Sequence, residues 1–246
     1  MKYILLFTGI IIGYASYCKS QNTHINYLNR GREYFEKGQY DFAIYDFEKA
    51  LQDNAELEGY YWRGLCHYHL KNYKQALADF DTLLSKNPHF TQAYLQRGKI
   101  HIRFQNYNQA LADLDKAAKL DSLNPDLLNE RVIIYHALGR YKEASTDIKT
   151  LIKLRPNYFE NYINLAGLQL QMKNYKEAIT NYTKGLELML AEKNSEDEDA
   201  YFGRATAFFE LGDTLQACQD WNRAHALGHP DAASKIQQFC LSTAKK

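Results

Sequence analysis

Ala43, Ala76, Ala110, Ala144, Ala178 and Ala217 follow one another at intervals of 33, 34, 34, 34 and 39 residues. This period constrains the chain more than any other feature, because a unit of that length cannot bury a core alone and must stack on its copies. Twelve residues before each alanine stand Gly31, Gly64, Gly98, Val132, Ala166 and Ala205, and four residues after it stand Phe47, Phe80, Leu114, Ile148, Tyr182 and Trp221. A small residue facing a large one lets two helices approach closely while the large side chain fills the adjacent groove. Each unit is therefore expected to be a helical hairpin.

Tyr27, Tyr60, Tyr94, Leu128, Tyr162 and Tyr201 mark the first helix of each unit, and Ala50, Leu83, Ala117, Leu151, Gly185 and Ala224 close the second. Between the helices each unit offers a residue that tolerates left-handed backbone: Gly38, Asn72, Asn106, Gly139, Asn174 and Gly212. Pro88, Pro125, Pro156 and Pro230 fall between units, where a helix must stop. The expected organisation is six hairpins within 24–229, at about 24–56, 57–90, 91–124, 125–158, 159–197 and 198–229. A capping helix follows over 230–246, with Ala232, Ala233, Ile236, Phe239 and Cys240 on its apolar side.

With its aromatic, small residue, tyrosine, alanine, large residue and interposed proline, the pattern resembles the tetratricopeptide repeat family. The resemblance covers residues 24 to 229 and implies an all-α fold, a right-handed α-α superhelix. Unit 1 lacks the proline, unit 4 has Val132 for glycine, and unit 5 departs most.

Where that family usually has leucine before the glycine, this chain has Arg30, Arg63, Arg97, Arg131 and Arg204, and sixteen residues after each stands Asp46, Asp79, Asp113, Asp147 or Asp220. Unit 5 alone has Leu165 and Asn181, so both charges vanish together. Residues so spaced in an antiparallel hairpin reach the same height on facing helices, which predicts five salt bridges inside units. Fully exposed, such pairs contribute about 0 to 1 kcal/mol each; half-buried, losing one partner costs roughly 3 to 5 kcal/mol.

Composition removes several function classes. Thirty basic and 29 acidic residues leave a net charge of +1 and no broad basic footprint for nucleic acid. None of GxxxxGK[ST], HExxH, GxSxG or GxGxxG occurs, so no catalytic residue, cofactor or metal is assigned. His67 and His69 point to different helix faces and cannot chelate together; His67 and His101 take the slot of a packing tyrosine, and Cys66 that of a small core residue. The acidic stretch Ala191 to Asp199 stretches unit 5 to 39 residues and is expected to be a solvated loop, with Ser195 and Glu198 as the capping box of the next helix.

At the N-terminus, Met1 and Lys2 precede sixteen uncharged residues, Tyr3 to Cys18. This is the layout of a signal peptide over 1–20, cut after Ser20, in a start that resembles exported proteins of the Bacteroidetes. The alternatives are a short membrane anchor and a lipoprotein on Cys18, the latter with bulky Tyr17 where a lipobox wants a small residue. Export would place the protein in the periplasm or outside the cell. Cys218 and Cys240 each lie eleven residues from His229, and an antiparallel helix pair turning there would bring them level. They form a disulfide in an oxidising compartment or remain two buried thiols.

By resemblance, the first helices line a concave groove, and those slots select Tyr61, Leu65, Tyr68, His69, Lys99, Arg103, Ile133, His136, Phe202 and Phe209. Lys99 and Arg103 resemble the basic half of the clamp with which chaperone cofactors of this family hold a C-terminal carboxylate; Trp62 and Arg32 stand where its amides would be. The implied function is a non-enzymatic scaffold that binds a peptide or partner protein in this groove, with a membrane-associated complex among the options. The alternative is an envelope component that recognises glycan or peptidoglycan.

Overall fold

The computed structural model describes residues 26–53, 57–193 and 195–240; the expected signal segment over 1–20 lies outside them. The described residues are helical and include no strand. Helix α1 spans 26–36. It is followed by α2 (Tyr40–Asp53), α3 (Leu57–His69), α4 (Tyr73–Lys86), α5 (Thr91–Arg103) and α6 (Tyr107–Leu120). Next come α7 (Pro125–Ala137), α8 (Tyr141–Leu154), α9 (Phe159–Gln171), α10 (Tyr175–Lys193), α11 (Glu198–Glu210) and α12 (Thr214–Leu227). The C-terminal cap is a four-residue turn, α13 (Ala232–Lys235), running into a π-helical turn at Ile236–Cys240. Helices α1–α6 form one compact unit and α7 onward a second, divided after Ser122. Each contains three antiparallel hairpins, in which an odd-numbered helix packs on the even-numbered helix that follows it and on the one before it in the same unit.

The repeated alanines are completely buried. Opposite them the small residues permit contact that a side chain would forbid: a Cβ added at Gly31 would lie 2.6 Å from the Phe47 ring, and one at Gly64 2.8 Å from Phe80. Such distances lie inside van der Waals contact, so glycine sets the separation of the two helices. Cys66 fills a core slot, and burial pushes its thiol pKa up to about 12.

The hairpin turns differ from the sequence expectation in half of the units. Gly38, Gly139 and Gly212 are left-handed, with φ of 71°, 68° and 85°. In hairpins 2, 3 and 5 the left-handed residue is not the asparagine but the one before it: Lys71, Gln105 and Lys173, at φ 62°, 57° and 61°. Asn72 and Asn106 instead begin the next helix, with φ near −80°. The geometry is set by the hydrogen bonds that close the first helix, such as Asn72 N to His67 O at 2.8 Å and Asn106 N to His101 O at 2.9 Å. The residue inside that closure must turn left whatever its type.

The acidic stretch also corrects an expectation. Helix α10 continues through Lys193, so Ala191–Lys193 are helical, while 195–197 are non-helical and α11 begins at Glu198. Its extra turns are anchored by buried Leu186 and Met189, and the run from Leu186 to Lys193 consists of strong helix formers. The cap of α11 is Asp197 rather than Ser195: its Oδ1 accepts from Ala200 N at 2.7 Å.

All five arginine–aspartate pairs are forked. Arg30 reaches Asp46 with two bonds of 2.6 Å, Arg63 reaches Asp79 at 3.0 and 2.5 Å, and Arg97 reaches Asp113 at 2.8 and 2.5 Å. Arg131 reaches Asp147 at 2.9 and 3.0 Å, and Arg204 reaches Asp220 at 2.7 and 2.8 Å. The aspartates are buried and the arginine heads lie between core and solvent, with tyrosines such as Tyr60 and Tyr94 beside the guanidinium planes. Hairpin 5 replaces the pair with a neutral one, Asn181 Nδ2 donating to buried Gln169 Oε1 at 2.8 Å.

Asp79→Ala removes the forked partner of the partly buried Arg63 guanidinium, leaving only Glu48 at 4.0 Å, and should cost about 3 kcal/mol in urea unfolding, against less than about 0.5 kcal/mol for the exposed Lys74→Ala. Installing the hairpin-5 residues together (R63L, D79N, H67Q) should recover more than half of that loss. Separately, Lys71→Gly should raise stability by about 0.5 to 1 kcal/mol by relieving left-handed strain, while Asn72→Gly should not; a thermal melt of the two variants distinguishes the positions.

Candidate functional site

In the first unit the selected groove positions form an aromatic surface already engaged with itself. Tyr61 is half-buried against Phe90 and Trp62, at ring separations of 5.1 and 5.6 Å, and burial raises its pKa. Leu65 is buried rather than exposed in a groove. His69 stacks on Tyr40 at 4.9 Å, and Lys99 is half-buried. Arg103 donates to the Tyr68 hydroxyl at 3.3 Å and lies over the Tyr68 and Tyr73 rings. At the positions where a carboxylate clamp would have amides, Arg32 is paired with Glu58 and lies over Trp62 at 5.4 Å.

The second unit carries an open site. A cavity of about 580 Å³ lies along the first-helix side of its hairpins. Ile133, Ile163 and Leu168 supply an apolar floor on α7 and α9, and His136 and Asn164 a polar border. Asp197 and Asp199, from the α10–α11 junction and the first turn of α11, close one side. Ile133 is about half exposed, and His136 is exposed. Tyr182 also reaches the cavity: the residue is 5% exposed, and burial pushes its pKa up to about 12, with Asp197 and Asp199 adding to the shift.

Phe202 and Phe209 do not offer groove surface. Phe202 stacks on His229 at 3.9 Å, and Phe209 packs on Phe239 at 4.4 Å and on Trp221 at 5.5 Å. Both rings are taken up by the cap, which needs an apolar platform where the repeats end. Gly228, at φ 104°, ends α12, and His229 Nδ1 accepts from Asp231 N at 3.2 Å while Nε2 lies 3.4 Å from Asp199 Oδ1. The reversal brings Cys218 and Cys240 to a Cα separation of 5.7 Å, and the two are disulfide-bonded.

Sequence reading selected Ile133 and His136 of the cavity and missed Asn164, Gly167, Tyr182, Asp197 and Asp199. The available signal was deviation from the repeat, since Gly167 occupies the slot of Leu65, Lys99 and Ile133. Among the described residues no cluster of three or more histidine, cysteine, aspartate or glutamate side chains could hold a metal ion, and no helix is long and apolar enough to cross a membrane.

Family comparisons agree with this architecture. Tetratricopeptide repeat models match residues 95–158, 159–188 and 199–231, together more than half of the chain. The chain belongs to the tetratricopeptide repeat family. A further model, for subunit 3 of the anaphase-promoting complex (cyclosome), matches residues 36–117. A Dictyostelium discoideum DnaJ homolog subfamily C member 7 homolog is 27% identical over 184 residues, 68% of this chain and 34% of the relative. The chain thus spans about a third of the length of the curated relatives it matches first.

Among solved structures, the tetratricopeptide repeat protein YrrB, described as having an unusual peptide-binding site, aligns with a TM-score of 0.70 at 18% identity, over 78% of this chain and 97% of that one. A tetratricopeptide repeat protein from Parabacteroides merdae aligns with a TM-score of 0.56 at 22% identity, over 86% and 81%. The likeness is one of fold, the all-α, α-α superhelical class.

The Cys218–Cys240 bond makes a prediction of its own. Protein purified without reductant should be two hydrogens lighter than after reduction, and reduction or the C218S/C240S double variant should lower stability by about 3 kcal/mol, as expected for a closed loop of this size. An unchanged mass and melting temperature would count against a structural bond.

Proposed function

We propose that this tetratricopeptide repeat protein is a non-enzymatic interaction scaffold that holds a peptide or partner protein on the first-helix faces of its hairpins. The observation that carries this reading is the cavity over α7, α9 and the α10–α11 junction. An apolar floor with a few convergent polar groups is the usual composition of a recognition site. The shared fold with YrrB, whose description includes peptide binding, supports the same reading. Export to the cell envelope is part of the proposal; the uncharged segment Tyr3 to Cys18 and the Cys218–Cys240 bond support it, since such bonds persist in oxidising compartments.

Photo-crosslinking in the native cells tests the site. With benzoylphenylalanine placed at Ile133, at Arg103, or at the exposed Leu215 of α12, partner adducts should form at the first or second position and be several-fold weaker at the third. Adducts concentrated at Leu215 would refute the first-helix reading.

A further inference from the structure

Hairpin 5 and the junction that follows it break the repeat in three ways, and the three breaks meet in the cavity. First, Gly167 stands where other hairpins carry Leu65, Lys99 and Ile133. A Cβ built there would meet only the Tyr182 hydroxyl, at 3.7 Å, so the missing side chain leaves the way open to that oxygen. Second, Tyr182 fills the slot of Phe47, Phe80, Leu114, Ile148 and Trp221 and brings a hydroxyl into it. Tyr182 lines the cavity and is 95% buried, its hydroxyl lies beside Gly167, and it makes no hydrogen bond among the described residues. Third, the longer α10 and its junction bring in Asp197 and Asp199.

The charge balance of the site has one sign. No lysine or arginine is among the cavity's lining residues. The neighbouring cations are committed elsewhere: Arg204 to Asp220 and Thr183, and Arg223 to Glu196. Asp197 uses Oδ1 to cap α11, and the Asp199 side chain is 84% exposed beside His229. Asp197 thus keeps Oδ2 beyond its cap bond, Asp199 keeps the oxygen that His229 does not approach, and Tyr182 adds a hydroxyl oxygen, all able to accept hydrogen bonds above an apolar floor.

Building on the scaffold reading, we infer that this cavity receives one basic side chain, lysine or arginine, of an extended peptide with apolar neighbours. The cationic head donates to Asp197, Asp199 and the Tyr182 hydroxyl oxygen, and the flanking residues lie on Ile133, Ile163 and Leu168. Charge-assisted bonds of this type are about twice as strong as neutral ones, which makes the head the selective element.

The test uses fluorescein-labelled nonapeptides, Gly-Ser-Gly-Leu-X-Leu-Gly-Ser-Gly, with X as lysine, arginine, glutamine or glutamate, titrated with the full chain at low ionic strength and read by anisotropy. Lysine or arginine should bind about tenfold more tightly than glutamine, and glutamate more weakly still. D197N with D199N should abolish that preference, since asparagine caps a helix as well as aspartate does. G167V should abolish binding of all four peptides, and a melting curve like that of the parent would show that the hairpin is intact. Y182F should weaken the basic peptides about threefold.

Affinity independent of X, a preference for glutamate, no measurable binding of any peptide, or basic-peptide binding that survives G167V would each overturn the inference. None of these results touches the crosslinking at Ile133 and Arg103, on which the scaffold reading stands or falls by itself.

Discussion

The structure depends on how closely the two helices of each hairpin can approach. At Gly31 and Gly64 even one additional carbon would enter the ring of Phe47 or Phe80. Once that distance is set, the buried alanine beside it and the large residue four positions on are fixed as well, and the hairpin presents a defined face to the next. Van der Waals exclusion, repeated at intervals of about 34 residues, is thus the rule on which the stacking inside each unit rests.

The forked arginine–aspartate pairs are a second constraint laid over the first. Each places a buried carboxylate on the second helix opposite a guanidinium on the first, so that a slip of one helix along the other would leave a buried charge without its partner. They therefore act on register more than on net stability. Hairpin 5 has the neutral Asn181–Gln169 contact instead and holds its register without charge. The same hairpin carries Gly167 and the lengthened α10, so the departures from the repeat gather where the cavity lies.

Legibility in the sequence followed the physical range of each interaction. The small-to-large spacing and the sixteen-residue charge pairing are properties of one hairpin, and the pairs formed at each of the five places where both charges occur. Three turns lie one residue from where composition points, because asparagine is the residue that composition favours, whereas the closing hydrogen bonds impose left-handed backbone on Lys71, Gln105 and Lys173. The acidic stretch is a loop only in part, because the helix propensity of its first residues and the apolar anchor at Met189 extend α10 through Lys193.

The groove assignment shows the same division. Slots carried over from the repeat selected Ile133 and His136 at the cavity, but also buried Leu65 and the cap-bound Phe202 and Phe209. By itself, the sequence determined the all-α repeat, its period, its core residues and its internal ion pairs, since each depends on contacts within a hairpin or between neighbouring ones of the same kind. Only the tertiary structure decided which first-helix positions remain open, that Tyr182 ends in a cavity, and that Asp197 and Asp199 stand beside it. Those outcomes depend on where a longer helix ends and on a side chain that is missing, and neither can be read from a period.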